Sequence, residues 1–366
     1  MDAIEGGIEM IAGAVTPHVG SQLLQDFLND AIFGGFGAFL VFIPQIFILT
    51  FLVGLMEDSG YIARAAIICH RPLKFFGLTG KSFVPMLSGV ACAIPGIYAA
   101  RTIESPFRRW LTYFAIPLMP CSARLPVYAL LIAAFIPAHT VAGGFIGLQG
   151  LVMFFIYFFG IVVGLLVTAL LSRTRTVNND SKTDIPFIIE LPPYRLPGLK
   201  PLIFKSLQRS KLFVTKAGGI IFTVTVVVWF LGYFPNGGED LGTSYLGYLG
   251  KFLEPIFQPL GLDWKYGVAI LTSFLAREVF VGTLGTLFGI EGADENIAGL
   301  AESIQNSGLS FGSGIALIAF FAIAMQCVST LAVLRRETGS WRMPSQIFIG
   351  YSLLAYATAY LATLIF

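Results

Sequence analysis

Three sulfur-bearing stretches stand out by what surrounds them. Gly89-Val90-Ala91-Cys92-Ala93-Ile94-Pro95-Gly96 places a thiol among helix breakers. Pro117-Leu118-Met119-Pro120-Cys121-Ser122-Ala123-Arg124-Leu125 places a thioether and a thiol beside two prolines and ahead of a charge, and Met325-Gln326-Cys327 adds a third site in another apolar run. Where Pro and Gly interrupt a helix, unwound carbonyls and a sulfur can face the same passing ion. Soft or borderline metals such as Cu(I) and Fe(II) accept thiolate and thioether, whereas Mg²⁺ and Ca²⁺ do not. A lone cysteine in an apolar run also reads as a small buried hydrophobe, but repetition of the arrangement favours ligation. Cys92, Cys121, Cys327 and Met119 are therefore the candidate soft ligands.

Carboxylates supply the hard half of the chemistry. Glu57 and Asp58 close an apolar run just before Ser59-Gly60-Tyr61, as interfacial caps or as a cation-attracting pair. Glu278 sits beside Arg277 inside another run; adjacent helical residues do not face each other, so its partner lies elsewhere and it ranks as a functional candidate. Arg124, also inside a run, either sets the sign of a pore wall or locks a packed helix pair. Gly77-Leu78-Thr79-Gly80-Lys81-Ser82 looks like the end of a phosphate-binding loop, but Phe75 stands where GxxxxGK[ST] needs glycine, so no GTP site is expected. His18, His70 and His139 are far apart, and no nucleophile stands with a base. Neither a permanently bound cofactor nor an enzyme is expected.

The elements that position these groups follow from composition. Of 366 residues, 56% are hydrophobic and only 12% charged, and the mean hydropathy is +0.79. A soluble chain carries roughly 25% charged residues, so most of this surface meets lipid. The apolar runs are continuous rather than alternating, which selects helices over a spanning β-barrel. A net charge of +2 without a basic cluster gives no sign of nucleic-acid binding, and four scattered cysteines without CxxC argue against a disulfide framework. No Lys or Arg precedes Arg64, so a cleavable signal peptide is not expected.

Runs long enough to cross about 30 Å of hydrocarbon fall at 31–56, 111–136, 147–171, 212–234, 266–289, 313–334 and 345–366. An eighth, 83–100, holds Pro85, Gly89, Pro95 and Gly96 and reads as broken or re-entrant. Basic residues place 172–211 in the cytoplasm and the acidic 1–30 outside. The charge rule then fails downstream unless 266–289 dips in and returns to its own side. The chain divides into an extracytoplasmic amphipathic segment (1–30), a first gate repeat with spans (31–171), a cytoplasmic loop (172–211) and a second gate repeat with C-terminal spans (212–366). An internal echo, Met119-Pro120-Cys121-Ser122-Ala123-Arg124-Leu125 against Met325-Gln326-Cys327-Val328-Ser329-Thr330-Leu331, suggests inverted repeats.

Several motifs together resemble one family. Phe42-Ile43-Pro44-Gln45-Ile46, Met56-Glu57-Asp58-Ser59-Gly60-Tyr61-Ile62-Ala63-Arg64, Gly80-Lys81-Ser82-Phe83-Val84-Pro85, the Cys92 segment, Cys121-Ser122-Ala123-Arg124-Leu125-Pro126, Glu190-Leu191-Pro192-Pro193-Tyr194-Arg195 and Arg336-Glu337-Thr338-Gly339-Ser340-Trp341 are similar, in order along nearly the whole chain, to the membrane domain of the ferrous iron transporter B (FeoB) family. The resemblance implies that the Cys92 and Cys121 segments are gate motifs with Cys327 a third sulfur on the iron path. It implies inner-membrane uptake of Fe(II) under a GTPase, with a small FeoA-like cytosolic partner and a homo-oligomer as further expectations. Family members usually begin with a GTPase domain and one more span, which are expected on another chain or missing from a fragment. Gln326 stands where the family usually has Pro, and His70 where it usually has Asp.

The expectation is thus an all-α polytopic membrane protein of about seven apolar segments plus a broken one, similar to nucleoside-transporter-like gate folds. Its function is Fe(II) permeation, with Glu57, Asp58 and Glu278 attracting the hydrated cation. The alternatives are a nucleoside or other small-solute permease and a non-transporting assembly subunit.

Overall fold

The computed structural model describes residues 42–141, 146–175, 193–235, 241–274, 279–288, 297–325 and 327–366, with Leu191, Gly237, Arg277 and, before them, 6–7, 10–13, 16, 21–34 and 40. Among these residues the fold is helical, apart from a two-residue antiparallel ladder of Thr140–Val141 with Ile146–Gly147. A short helix, Gln22–Asp26, runs into a π-helical stretch, Phe27–Gly34. The helices that follow are α1 (Phe42–Asp58), α2 (Tyr61–Phe75), α3 (Phe83–Ala91), α4 (Ala93–Ala99), α5 (Pro106–Ala115), α6 (Leu125–Phe135), α7 (Leu148–Arg175) and α8 (Leu199–Phe213). Then come α9 (Gly219–Tyr233), α10 (Tyr245–Phe257), α11 (Trp264–Ser273), α12 (Val279–Phe288), α13 (Ile297–Asn306), α14 (Phe311–Ile323), α15 (Val328–Thr338) and α16 (Arg342–Ile365).

Among the described residues four helical runs are long and apolar enough to cross a membrane: Pro106–Phe135, Leu148–Thr174, Phe311–Thr338 and Arg342–Ile365, with a fifth if the broken pair α1 and α2 counts as one span. The expected count of about seven is therefore not met among the described residues. Hydropathy does not register breaks, and several apolar windows are split. The 111–136 window divides between α5 and α6, because Pro117 and Pro120 bring no N–H to a helical ladder. The 266–289 window divides into α11 and α12, ten residues each, which pack on one another with the Thr272 and Thr283 hydroxyls 3.0 Å apart. The 212–234 window becomes the fifteen-residue α9, entered through π-helical Val214–Gly218, and part of 31–56 lies outside the described residues. Between α1 and α2 the chain turns at Gly60, whose φ of 80° suits glycine best.

Contacts group the chain into two units. In the first, the described residues of Met1–Ile62 and Pro192–Phe252, α1 packs along α8, and Lys205 Nζ lies 3.2 Å from Glu57 Oε2 and 3.9 Å from Asp58 Oδ1. Phe27 meets the Trp229 ring edge-on, and the Tyr233 hydroxyl donates to Asp26 Oδ2.

The second unit, Ala63–Leu191 with Leu253–Phe366, carries the large apolar core. In it α14 packs along α16 and α13 along α6, burying Leu130, Phe280, Leu317, Phe321, Ile347 and Ala355. The Pro106–Phe135 and Phe311–Thr338 runs are 61% and 65% buried, against 17% and 22% for Leu148–Thr174 and Arg342–Ile365. The broken runs are thus interior, while the unbroken ones carry the lipid-facing surface.

Close backbone approach holds the breaks in place. Helices α3 and α4 fold back on each other so tightly that a Cβ at Gly96 would lie 2.7 Å from the Pro85 carbonyl oxygen and 3.0 Å from the Gly89 nitrogen. Gly160 and Gly164 of α7 form a small-xxx-small face against the second break: a Cβ at Gly160 would meet the Leu118 and Ala322 carbonyls, and one at Gly164 the Met119 Cε. Helix α4 packs on α15, and beyond α4 Arg101 grips Glu337 with both Nε (2.5 Å to Oε2) and a terminal nitrogen.

Gly96→Ala must push backbone against backbone and is expected to cost about 2 kcal/mol or more, whereas Gly164→Ala displaces only a flexible thioether and costs under about 1 kcal/mol. Thermal unfolding of detergent-solubilised protein ranks the two, and equal midpoints would contradict the packing. Removing Arg101 strands a Glu337 side chain that is only 5% exposed. With the arginine itself largely in solvent, Arg101→Ala is expected to cost about 1–2 kcal/mol, against under about 0.5 kcal/mol for Lys205→Ala at the exposed pair.

Candidate functional site

Each of the three expected sulfurs sits at a break in the second unit. Cys92 is extended (φ −156°, ψ 134°) between α3 and α4, and Pro95 falls in the first turn of α4, where a missing N–H costs no helical bond. Cys121 (φ −93°, ψ 161°) follows extended Met119 and precedes a 3₁₀ turn, Ser122–Arg124, that leads into α6. Cys327 (φ −165°, ψ 162°) precedes α15, and its Sγ lies 3.2 Å from Thr330 Oγ1. The internal echo in the sequence therefore marks two corresponding breaks. Cys121 is buried, Cys92 and Cys327 are partly buried, and none of the three is in a disulfide among the described residues.

Hydrogen bonds tie the breaks to one another. The Ser122 hydroxyl, next to Cys121, donates to the carbonyl of Ala91, next to Cys92, at 3.1 Å. The Val328 N–H, next to Cys327, donates to the Phe274 carbonyl just past α11 at 3.1 Å. Residue type alone does not single out Ser122 or Phe274; the sole hint was their position beside a flagged cysteine or just past a helix end.

The charges inside the apolar runs act on the same backbone. Arg124, 1% exposed, donates to the carbonyls of Ala322 (2.7 Å), Ala324 (3.1 Å) and Pro117 (3.4 Å). Arg277, 3% exposed, donates to Phe321 (3.4 Å), Ala324 (2.5 Å) and Met325. Its guanidinium also lies 5.1 Å from the Phe321 ring centroid. Residues 321–325 are the C-terminal end of α14 and the start of its break, where carbonyls lose helical partners and the helix dipole is negative. Between the two readings left open for Arg124, the structure shows a lock: it joins the second break to the end of α14.

Other expected site residues lie elsewhere. Met119, 2% exposed, packs with Leu73, Leu78, Met86, Leu111 and Ala115, its side chain between Gly89 and Gly164. Glu57 and Asp58 belong to the first unit, where they face Lys205. Glu278 lies outside the described residues, as does Gln326. Among the described residues no three His, Cys, Asp or Glu side chains come together as a metal cage. Chemically, the site offers single thiols at successive backbone breaks, each in a partly dry setting.

Comparison with known proteins places this arrangement. A family model described as Gate, nucleoside recognition, matches residues 39–135 and 214–341, and one described as Ferrous iron transport protein B C terminus matches 153–209. The Fe(2+) transporter FeoB of Leptospira biflexa is 40% identical over 99% of this chain and 54% of its own length. That of Staphylococcus aureus is 40% identical over 94% of this chain and 49% of its own. A Fe(2+) transport protein A/Fe(2+) transporter FeoB fusion protein of Porphyromonas gingivalis is 35% identical over 99% and 47%. The chain spans about half the length of the curated relatives it matches. No solved structure matches it. With the Gate match across all three sulfur-bearing breaks and more than half of the residues, the chain belongs to the Gate family.

Proposed function

We propose that this membrane protein is the permease part of a system that takes up Fe(II) through the bacterial inner membrane. The observation that carries the reading is one thiol at each of three interior helix breaks. The names of the FeoB relatives support the choice of ion. Glu57, Asp58 and Glu278 attract the hydrated cation, and Cys92, Cys121 and Cys327 replace part of its water shell in turn, with Met119 as an auxiliary thioether. Single soft contacts bind a borderline ion weakly enough to release it, which suits passage better than a closed cage. GTP hydrolysis is supplied from outside this sequence. A FeoA-like partner takes part as well, a reading supported by the Porphyromonas gingivalis relative whose name joins the two proteins.

A second reading, a nucleoside permease, draws on the description of the Gate model. Fe(II) uptake by proteoliposomes of the full-length protein is expected to fall about tenfold or more in Cys92→Ser, Cys121→Ser, with serine keeping the shape but not the softness of the ligand. Undiminished uptake would rule out the sulfur role. Uptake of labelled uridine by the same vesicles, with no Fe(II) uptake, would instead support the second reading.

A further inference from the structure

The carbonyl end of α14 accepts hydrogen bonds from two buried cations of the chain itself. Phe321, Ala322, Ala324 and Met325 turn their carbonyl oxygens toward buried positive charge at the negative end of a helix, inside a run that is largely enclosed by protein. Elsewhere in membrane proteins, unwound carbonyls and helix C-termini of this kind hold alkali or alkaline-earth cations, whose hard character calls for oxygen ligands. Here the oxygens are taken by the guanidiniums of Arg124 and Arg277, which approach from different segments. A guanidinium has donors only and is charged at any physiological pH, so neither arginine can ligate Fe(II), and neither releases the carbonyls by deprotonating.

We propose that Arg124 and Arg277 are resident cations of the break that follows α14 and determine its selectivity: they occupy the carbonyls at the end of α14, deny them to hard cations, and leave Cys121 and Cys327 as the softer route for the transported ion. The inference rests on the Fe(II) reading for its consequence in transport, although the occupied carbonyls are a property of the fold. It also explains why two charges costly to bury stand beside the proposed path of a cation. Both hold the α14 carbonyls, and the ion meets sulfur rather than oxygen at this level.

The test uses full-length protein and Ca²⁺ as the probe. Equilibrium dialysis in detergent measures Ca²⁺ binding to the wild type, Arg277→Ala, Arg124→Ala, the double alanine variant and Arg277→Lys, and proteoliposomes measure Fe(II) uptake with Ca²⁺ as competitor. Because both guanidiniums share Ala324, only the double variant clears these carbonyls, and it is there that Ca²⁺ binding is expected to tighten about tenfold or more, since ligand number and charge set calcium affinity. Ca²⁺ should then inhibit Fe(II) uptake in the double variant but not in the wild type. Added guanidinium ion should reverse both effects. The Arg277→Lys variant should be intermediate, because one ammonium replaces a planar fork poorly. If an alanine variant is not recovered as a monodisperse species, Arg277→Lys carries the comparison. Wild-type Ca²⁺ binding in every recovered variant, or Ca²⁺ binding that guanidinium does not displace, overturns the proposal. A wild type that moves no Fe(II) overturns the functional reading instead, and leaves the dialysis result to decide the arginines.

Discussion

Backbone that leaves its helix inside a membrane must still satisfy its carbonyls and N–H groups, and in this protein the demand is met at the end of α14 by Arg124 and Arg277. Unsatisfied backbone in hydrocarbon costs several kcal/mol per group, so a break of this kind persists only where other segments supply partners. Both guanidiniums converge on Ala324, and around it they reach Phe321, Ala322 and Met325. That shared contact holds the second break, through Arg124, and the segment at Arg277 against the end of α14.

The first break meets the same demand by lighter means. Between α3 and α4 a serine hydroxyl, Ser122, supports the Ala91 carbonyl, and the Cys92 N–H bonds to Ser88. Compression does the rest, since Gly96 allows α4 to lie directly on the backbone of α3. The two halves are thus similar in outline, a thiol ahead of a helix in each, but differ in electrostatics: one break is held by neutral groups and the other by charge. They meet again where α4 packs on α15, a contact closed by the Arg101–Glu337 fork. Helix α7 backs the arrangement, its Gly160 lying near carbonyls from both the second break and α14.

Much of this was legible in the residues. Pro95, Pro117 and Pro120 announced the first two breaks, because a proline removes a donor wherever it stands, and the echo between the Met119 and Met325 stretches pointed to the third. Scarce charge announced lipid. The span count was not legible, because apolar windows continue through a break, as at 266–289, where ten-residue α11 and α12 share one hydropathy run. Met119 was singled out by its neighbours, Pro120 and Cys121, whereas the packing of its thioether against Gly164, far along the chain, is visible only in the fold.

The sequence by itself determined the solvent, the positions of the first two breaks and the presence of a sulfur at each, since these follow from local residue types and their spacing. It also showed that Arg124 and Arg277 lie where charge is costly, but not what they do there. Only the tertiary structure decided that, because the carbonyls Arg124 holds lie as many as 200 residues away along the chain. Hydrogen bonds across such a separation leave no periodic trace in the sequence; they exist only once helices from distant segments have packed side by side.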